Sequence, residues 1–134
     1  MGYLYDDQNI FAKILRGEIP NTTVLETEHC LAFRDISAQA PEHILVIPKG
    51  PYVCFDHFAD MASAEEIIDF TRAIGQVAAA LKVDPGTGGD GYRLLANTGQ
   101  NGVQDVPHMH VHLVAGRPLG RMLRDSWASC KFIL

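Results

Sequence analysis

The chain has 134 residues, enough for one compact domain with a buried core and too few for two ordinary domains. Hydrophobic residues make up 47% of the sequence and charged residues 20%, a balance that indicates a globular protein and excludes a disordered or fibrous one. The net charge of −5 at pH 7 argues against a nucleic acid polymer as partner, although a single phosphate group needs no broad basic surface. We expect residues 1–134 to form a single domain.

The sequence predicts neither a membrane span nor an export signal. Its longest apolar runs, at residues 44–47 and 77–81, are far shorter than the ~20 residues that a transmembrane helix requires. Residues 1–9 are acidic and lack the basic and apolar regions of a secretory signal, which favours a cytoplasmic location with no membrane partner. The three cysteines are widely spaced, so we expect reduced, structural thiols.

The first predicted element is a short helix over residues 10–15, where apolar residues recur at helical spacing. Asp6 or Asp7 is placed to cap this helix, because a short side-chain acceptor satisfies the free N–H groups of the first turn. Two short strands follow at residues 23–26 and 30–34, and the polar residues between them predict a hairpin.

The middle of the chain predicts a buried strand and a long helix. The strand covers residues 43–47, and the segment 52–58 after it is compatible with a helix or with irregular structure. Ser63 is the predicted N-cap of the long helix, with Glu65 and Glu66 in the first turn, where carboxylates suit the positive end of the helix dipole. The predicted buried face of this helix consists of Ile67, Phe70, Ile74, Val77 and Leu81.

Two further strands are predicted near the C-terminus. A glycine-rich loop at residues 82–91 precedes a strand at 92–96, and a polar loop at 97–105 separates it from a strand at 109–115. The order of elements predicts an α+β fold: an antiparallel sheet of about five strands with a short N-terminal helix and one long helix.

The strongest local signal is the segment HMHVHL, in which His108, His110 and His112 occupy alternate positions. An extended backbone places the three imidazoles on one face and the apolar residues between them on the other. A purely structural strand rarely carries three such rings, since each buried nitrogen needs a hydrogen-bond partner. Three interpretations stay open: a solvent-facing strand, a metal site and a catalytic site.

A metal site and a catalytic site make different demands on the three histidines. Alternating imidazoles suit zinc, iron or nickel, but the chain after Leu113 has no well-placed Glu or Cys to complete the ligand set. As a catalyst, an imidazole of pKa ~6.5 is largely neutral at pH 7 and able to attack phosphorus, while neighbouring rings donate to phosphoryl oxygens. That reaction needs no metal or other cofactor and predicts hydrolysis through a phosphohistidine-type intermediate.

The sequence around these histidines resembles a known family. The segment HMHVHLV at residues 108–114 is similar to the His-x-His-x-His-x-x signature of the histidine triad superfamily. Five further segments resemble its Hint-like branch, the nucleotide-binding phosphoramidases: NIFAKILRGEIP at 9–20, AFRDIS at 32–37, QAPEHILVIPK at 39–49, GYR at 91–93 and GRPLG at 116–120. The resemblance covers about residues 8–123 and implies the HIT-like α+β fold.

The resemblance also implies residue roles. His110 is the expected nucleophile on the α-phosphorus of a nucleotide, His112 lies near the phosphate oxygens, His108 supports the ring network and His43 orients or assists. Asp35 and Ile36 correspond to the ribose and base pocket, and its apolar wall corresponds to Ile10, Phe11, Ile14 and Leu45. The expected phosphate-binding segment, with Gln104 as a leaving-group contact, consists of Asn97, Gly102, Val103, Gln104 and Asp105.

The implied ligand is a purine nucleotide or nucleoside phosphoramidate, and the implied assembly is a homodimer joined through the long helix and a strand. A dinucleoside polyphosphate hydrolase and a non-catalytic nucleotide-binding regulatory protein are the alternatives. Asp105 departs from many family members, which have a serine thought to protonate the leaving amine, and an ionised Asp105 repels phosphate. In the tail, residues 121–134, Trp127 either approaches the partner's site or packs the terminus.

Overall fold

The computed structural model describes residues 2–124, so the predictions for Trp127 and most of the tail lie outside the described residues. It contains three α-helices and five strands. In chain order these are α1 (Ile10–Leu15), β1 (Thr23–Glu26), β2 (Cys30–Arg34), β3 (Glu42–Pro48), α2 (Phe55–Met61), α3 (Ala64–Ala80), β4 (Tyr92–Leu95) and β5 (Val111–Ala115). The described helices include none that is both long and apolar enough to cross a membrane.

The five strands form one antiparallel sheet in the order β1-β2-β3-β5-β4, which confirms the predicted α+β fold. β3 is the central strand, and all its residues except Glu42 are buried. Successive side chains of a strand point to opposite faces, so β3 contributes Ile44 and Val46 to one apolar cluster and Leu45 and Ile47 to another. The first cluster packs against α3, and the second packs against α1.

Helix α1 has the predicted bounds but a different cap. The side chain of Asn9, not that of Asp6 or Asp7, accepts a hydrogen bond from the backbone N–H of Ala12 at 2.9 Å. Asp6 lies three residues further out, where its carbonyl oxygen accepts from the Asn9 side chain. Asn9 caps the helix because only the residue next to the first helical turn reaches its free N–H groups.

Helix α3 begins at the predicted cap. Ser63 accepts from the backbone N–H of Glu66, and the Glu66 side chain accepts from the backbone N–H of Ser63, so both halves of a capping box are present. The predicted buried face is wrong in part, since Ile67 is exposed. The stripe that contacts the sheet consists of Phe70, Ala73, Val77 and Ala78, and its two alanines replace larger predicted residues.

Strand β5 is shorter at its start than predicted. It begins at Val111, and the backbone of Met109, between His108 and His110, bonds to the loop before α2 rather than to a strand. There the backbone N–H of Met109 donates to the carbonyl oxygen of Tyr52 at 2.7 Å. Side chains nevertheless alternate as predicted, because Met109 and Val111 are buried in the α3 cluster.

Replacing Ser63 with alanine is expected to lower the free energy of unfolding by about 1 kcal/mol, because the first turn of α3 loses a side-chain acceptor. Urea denaturation followed by circular dichroism measures the change. Ser63→Asp keeps an acceptor at the same position and is expected to retain most of the stability. Equal losses in both variants contradict the assignment of the cap.

Candidate active site

His108 is fully buried and is held at both ring nitrogens. Its Nε2 lies 2.8 Å from the carbonyl oxygen of Pro48, and its Nδ1 lies 2.6 Å from the hydroxyl oxygen of Tyr5. A carbonyl oxygen only accepts, so Nε2 carries the proton and Nδ1 accepts from the tyrosine. Burial lowers the pKa of His108 to about 4, which keeps the ring neutral at pH 7. His108 therefore anchors the chain that enters β5 to the end of β3.

His110 is held in one tautomer by the backbone. Its Nδ1 lies 2.7 Å from the carbonyl oxygen of His108, so Nδ1 donates and Nε2 of the neutral ring keeps its lone pair. Phe11 packs edge-on against the ring at a centroid distance of 5.0 Å. Burial lowers the pKa of His110, and the carboxylates of Asp35 and Asp105 oppose that shift. The ring is thus a neutral base or nucleophile at pH 7.

His112 and His43 form a hydrogen-bonded pair between β5 and β3. The backbone N–H of Gln39 donates to Nδ1 of His43 at 3.0 Å, so a neutral His43 carries its proton on Nε2. That nitrogen lies 2.9 Å from Nδ1 of His112, which accepts and leaves the proton of His112 on Nε2. Burial, followed by the neighbouring imidazoles, lowers the pKa of His112 to about 4. These two hydrogen bonds leave the Nε2–H of His112 as a free donor.

A metal ion has one candidate position within residues 2–124. Asp35, His43 and His112 each offer a ligand atom, and these atoms lie within 4.8 Å of one another. Only one of the three alternating histidines belongs to this group. The bond from Nε2 of His43 to His112 already satisfies two of the ligand nitrogens without a metal, so the residues fit a hydrogen-bond relay at least as well as a metal centre.

A cavity of about 370 Å³ lies on the α1 side of the sheet, and we call it the first cavity. Phe33 and Ile19 also line it, although the sequence did not single them out. Phe33 is opposite Leu45 in the strand register, and this pairing is not readable from the sequence alone. Most of the predicted site residues line this cavity: Ile10, Phe11, Ile14, Asp35, Ile36, Leu45, Asn97, Val103, Asp105, His110 and His112.

Four predicted residues lie around the first cavity rather than in its lining. His108 is buried and bonded to Pro48 and Tyr5, and Nε2 of His43 contacts two lining residues, with Nδ1 of His112 at 2.9 Å and a carboxylate oxygen of Asp35 at 3.4 Å. The side-chain amide of Gln104 donates to the carbonyl oxygens of Val53 and Val106, so it ties the loop down. Gly102 comes so close to the backbone of Thr98 that an added Cβ would lie 2.5 Å from its carbonyl oxygen, a conformation that requires glycine.

Two contacts of the site had no signal in the sequence. Tyr5 and His108 are 103 positions apart in the chain, and Gln39 acts through its backbone N–H, which is common to all residues but proline. Val103 adopts a left-handed backbone with φ of 55°, a strained conformation for a β-branched residue at the mouth of the cavity. The contact between Tyr5 and His108 depends on how distant segments of the chain pack together.

An antiparallel five-stranded sheet with neutral, hydrogen-bonded histidines beside an apolar cavity defines a protein of the histidine triad class. The chain belongs to the HIT domain family, whose model matches residues 16–119. A curated relative, an uncharacterized HIT-like protein from Azospirillum brasilense, is 54% identical over 92% of this chain and 98% of its own length.

Characterised and solved relatives support the same assignment. The purine nucleoside phosphoramidase of Escherichia coli strain K12 is 43% identical over 87% of this chain and 94% of its own length. Among solved structures, a HIT family hydrolase from Clostridium thermocellum superposes with a TM-score of 0.77 and 34% identity. The match covers 88% of this chain and 99% of that one, which confirms the HIT-like fold.

Acidification is expected to destabilise the fold through His108. Its pKa lies near 6.5 when unfolded and about 4 when folded, so the unfolded chain gains the proton first and stability falls between about pH 6.5 and 4. Urea denaturation at pH 7.5 and 5.0 should show a loss from this group of about 2 kcal/mol.

The matched variants are His108→Gln, which keeps a donor but does not titrate, and His29→Gln outside the site. The His108→Gln variant is expected to lose less stability between the two pH values than the wild type, and His29→Gln is expected to lose as much. Identical pH dependence in all three proteins contradicts the assignment of His108.

Proposed function

We propose that this protein is a nucleotide-binding hydrolase that cleaves nucleoside phosphoramidates through a covalent nucleotidyl intermediate on His110. The observation that carries the proposal is the bond from Nδ1 of His110 to the carbonyl oxygen of His108. It leaves an unprotonated Nε2 on a ring that lines the first cavity. A neutral, oriented imidazole is the nucleophile that attack on phosphorus requires.

The first cavity supports a purine nucleotide as the ligand. Its volume of about 370 Å³ falls in the range of small-molecule sites, and the side chains of Phe11, Ile14 and Leu45 form an apolar wall suited to a flat base. The carboxylate of Asp35 is an acceptor for ribose hydroxyl groups. The phosphate then lies toward His110 and His112, the polar end of the lining.

The proposed reaction has two displacements at the α-phosphorus. Nε2 of His110 forms a bond to phosphorus as the bond to the leaving nitrogen breaks, and the amine departs with that electron pair and a proton drawn from solvent. Water then attacks phosphorus and gives up a proton to solvent, the bond to His110 breaks with its electron pair returning to Nε2, and a nucleoside monophosphate is released. Nε2–H of His112 and the side-chain amide of Asn97 donate to the phosphoryl oxygens, so the chemistry needs no metal or other cofactor.

Asp105 acts on this reaction in two opposite ways. Its carboxylate lines the first cavity and repels an incoming phosphate. Together with Asp35 it also favours positive charge on His110, and the intermediate carries such a charge on its phosphorus-bound imidazole. We infer that Asp105 slows binding and stabilises the intermediate, a different balance from that of a serine.

We also propose a homodimer formed through α3 and β4. β4 is an edge of the described sheet, and its side chains Tyr92 and Leu94 are exposed on the face that α3 covers elsewhere. Pairing of two such edges satisfies free backbone groups and buries those side chains.

Replacing His110 with alanine is expected to reduce kcat on a fluorogenic adenosine phosphoramidate by about 10³-fold or more, because the attacking nitrogen is gone. Steady-state assays with a chelator present measure the change. Wild-type protein quenched in mid-turnover should show a mass increase of one adenylyl group on His110. His29→Ala, outside the first cavity, is the control and should keep full activity.

Thermal shift with adenosine monophosphate checks that the His110→Ala variant still folds and binds. Unchanged turnover in that variant contradicts the assignment of the nucleophile. Tight nucleotide binding by the wild type without any turnover favours the non-catalytic regulatory protein. Cleavage of dinucleoside polyphosphates in preference to phosphoramidates favours the related hydrolase.

A further inference from the structure

A second cavity, of about 260 Å³, adjoins the first one. The two share Gln39, Asn97 and His112, so His112 stands between them. Apart from these residues and His43, the second cavity is lined by side chains that the proposed reaction does not use, among them Arg93 and Arg117. A substrate seated in the first cavity therefore has a neighbouring space open to the group attached to its phosphorus.

The pairing of β4 with β5 places Arg93 on the face of the sheet that lines the second cavity. In the register, Arg93 is opposite Val114 and Leu95 is opposite His112, so Arg93 and His112 are diagonal neighbours on the same face. Diagonal neighbours of adjacent strands have Cβ atoms roughly 7–8 Å apart, which a long side chain spans. Arg117 follows β5 by two residues and borders the cavity from the other side.

The two guanidinium groups hold their positions without losing their charge. Arg93 donates to the carbonyl oxygens of Gly120 and Arg121, and Arg117 donates to those of Pro118 and Gln39. Each guanidinium has five N–H donors, so each keeps donors for a ligand. A carbonyl bond fixes the side chain and leaves its positive charge uncompensated.

This arrangement differs from that of the paired cations Arg34 and Lys49. Arg34 pairs with Glu42 and Lys49 pairs with Glu26, whereas neither arginine of the second cavity has a carboxylate partner within residues 2–124. The lining of the second cavity contains no Asp or Glu. In a chain of net charge −5, two such cations beside the catalytic histidines mark a site for an anion.

We propose that the second cavity receives the leaving group and that Arg93 and Arg117 select leaving groups that carry an anion, a carboxylate or a phosphate. The proposal rests on the proposed function, because it concerns the group that His110 displaces. In an in-line displacement the leaving group points away from the nucleophile, and His112 and Asn97 line the passage from the phosphate to the second cavity.

The experiment compares leaving groups of matched size. The substrates are the adenosine 5′-phosphoramidate of β-alanine, which carries a carboxylate, and that of β-alanine amide, which is neutral. Diadenosine triphosphate, whose leaving group is ADP, supplies phosphate groups joined to the α-phosphorus through oxygen. We expect kcat/KM for the carboxylate substrate to exceed that for the amide by about 10-fold at low salt, and the ratio to shrink at 0.5 M salt. The triphosphate separates a phosphate preference from a carboxylate one.

Arg93→Gln and Arg117→Gln are expected to lower the ratio of carboxylate to amide kcat/KM by about 10-fold together, because each removes a charge-assisted hydrogen bond. Arg72→Gln, which removes the same charge from α3 outside both cavities, should leave the ratio unchanged. Size-exclusion chromatography of all variants checks that the oligomeric state is preserved.

The outcomes separate the two proposals. Equal turnover of the charged and neutral substrates by the wild type overturns the anion selectivity and leaves the proposed function standing. A ratio that persists in both arginine variants also overturns it, as does a change confined to the oligomeric state. Absence of turnover with all three substrates overturns the proposed function and the selectivity with it.

Discussion

The site depends on one hydrogen bond between a ring nitrogen and the backbone, from Nδ1 of His110 to the carbonyl oxygen of His108. The bond sets the tautomer of the ring and its rotation in the same step. It holds because His108 is itself anchored, through Pro48 on β3 and through the hydroxyl of Tyr5. The nitrogen proposed as the nucleophile is therefore oriented by the packed centre of the fold, which would lower the cost of reaching a productive geometry.

Burial is the main cause of the lowered pKa values of the three alternating histidines. It lowers the pKa of His108, His110 and His112, so all three rings are neutral at pH 7 and differ only in which nitrogen carries the proton. His110 presents a lone pair, whereas His112 presents an N–H because His43 donates to its other nitrogen. Identical side chains thus take opposite roles, and the backbone groups of His108 and Gln39 decide which role each one takes.

The register of the sheet places the histidines of the proposed reaction and an arginine of the proposed leaving-group site on one face. β5 lies between β3 and β4, so the face that carries His112 continues to His43 on one side and to Arg93 on the other. A shift of one residue in either pairing would send these side chains to the α3 face. The apolar contacts of α3 therefore maintain the site although no residue of that helix lines either cavity.

The sequence by itself determined the α+β class, four strands to within one residue, the cap of α3 and the histidines that face the cavity, because these follow from local spacing and side-chain chemistry. Tertiary structure alone decided the late start of β5 and the tautomer of each histidine, since these depend on which groups lie nearby. It also brought Tyr5 to His108 and Arg93 beside His112. No local sequence pattern predicts these contacts, because they arise from the packing of segments far apart in the chain.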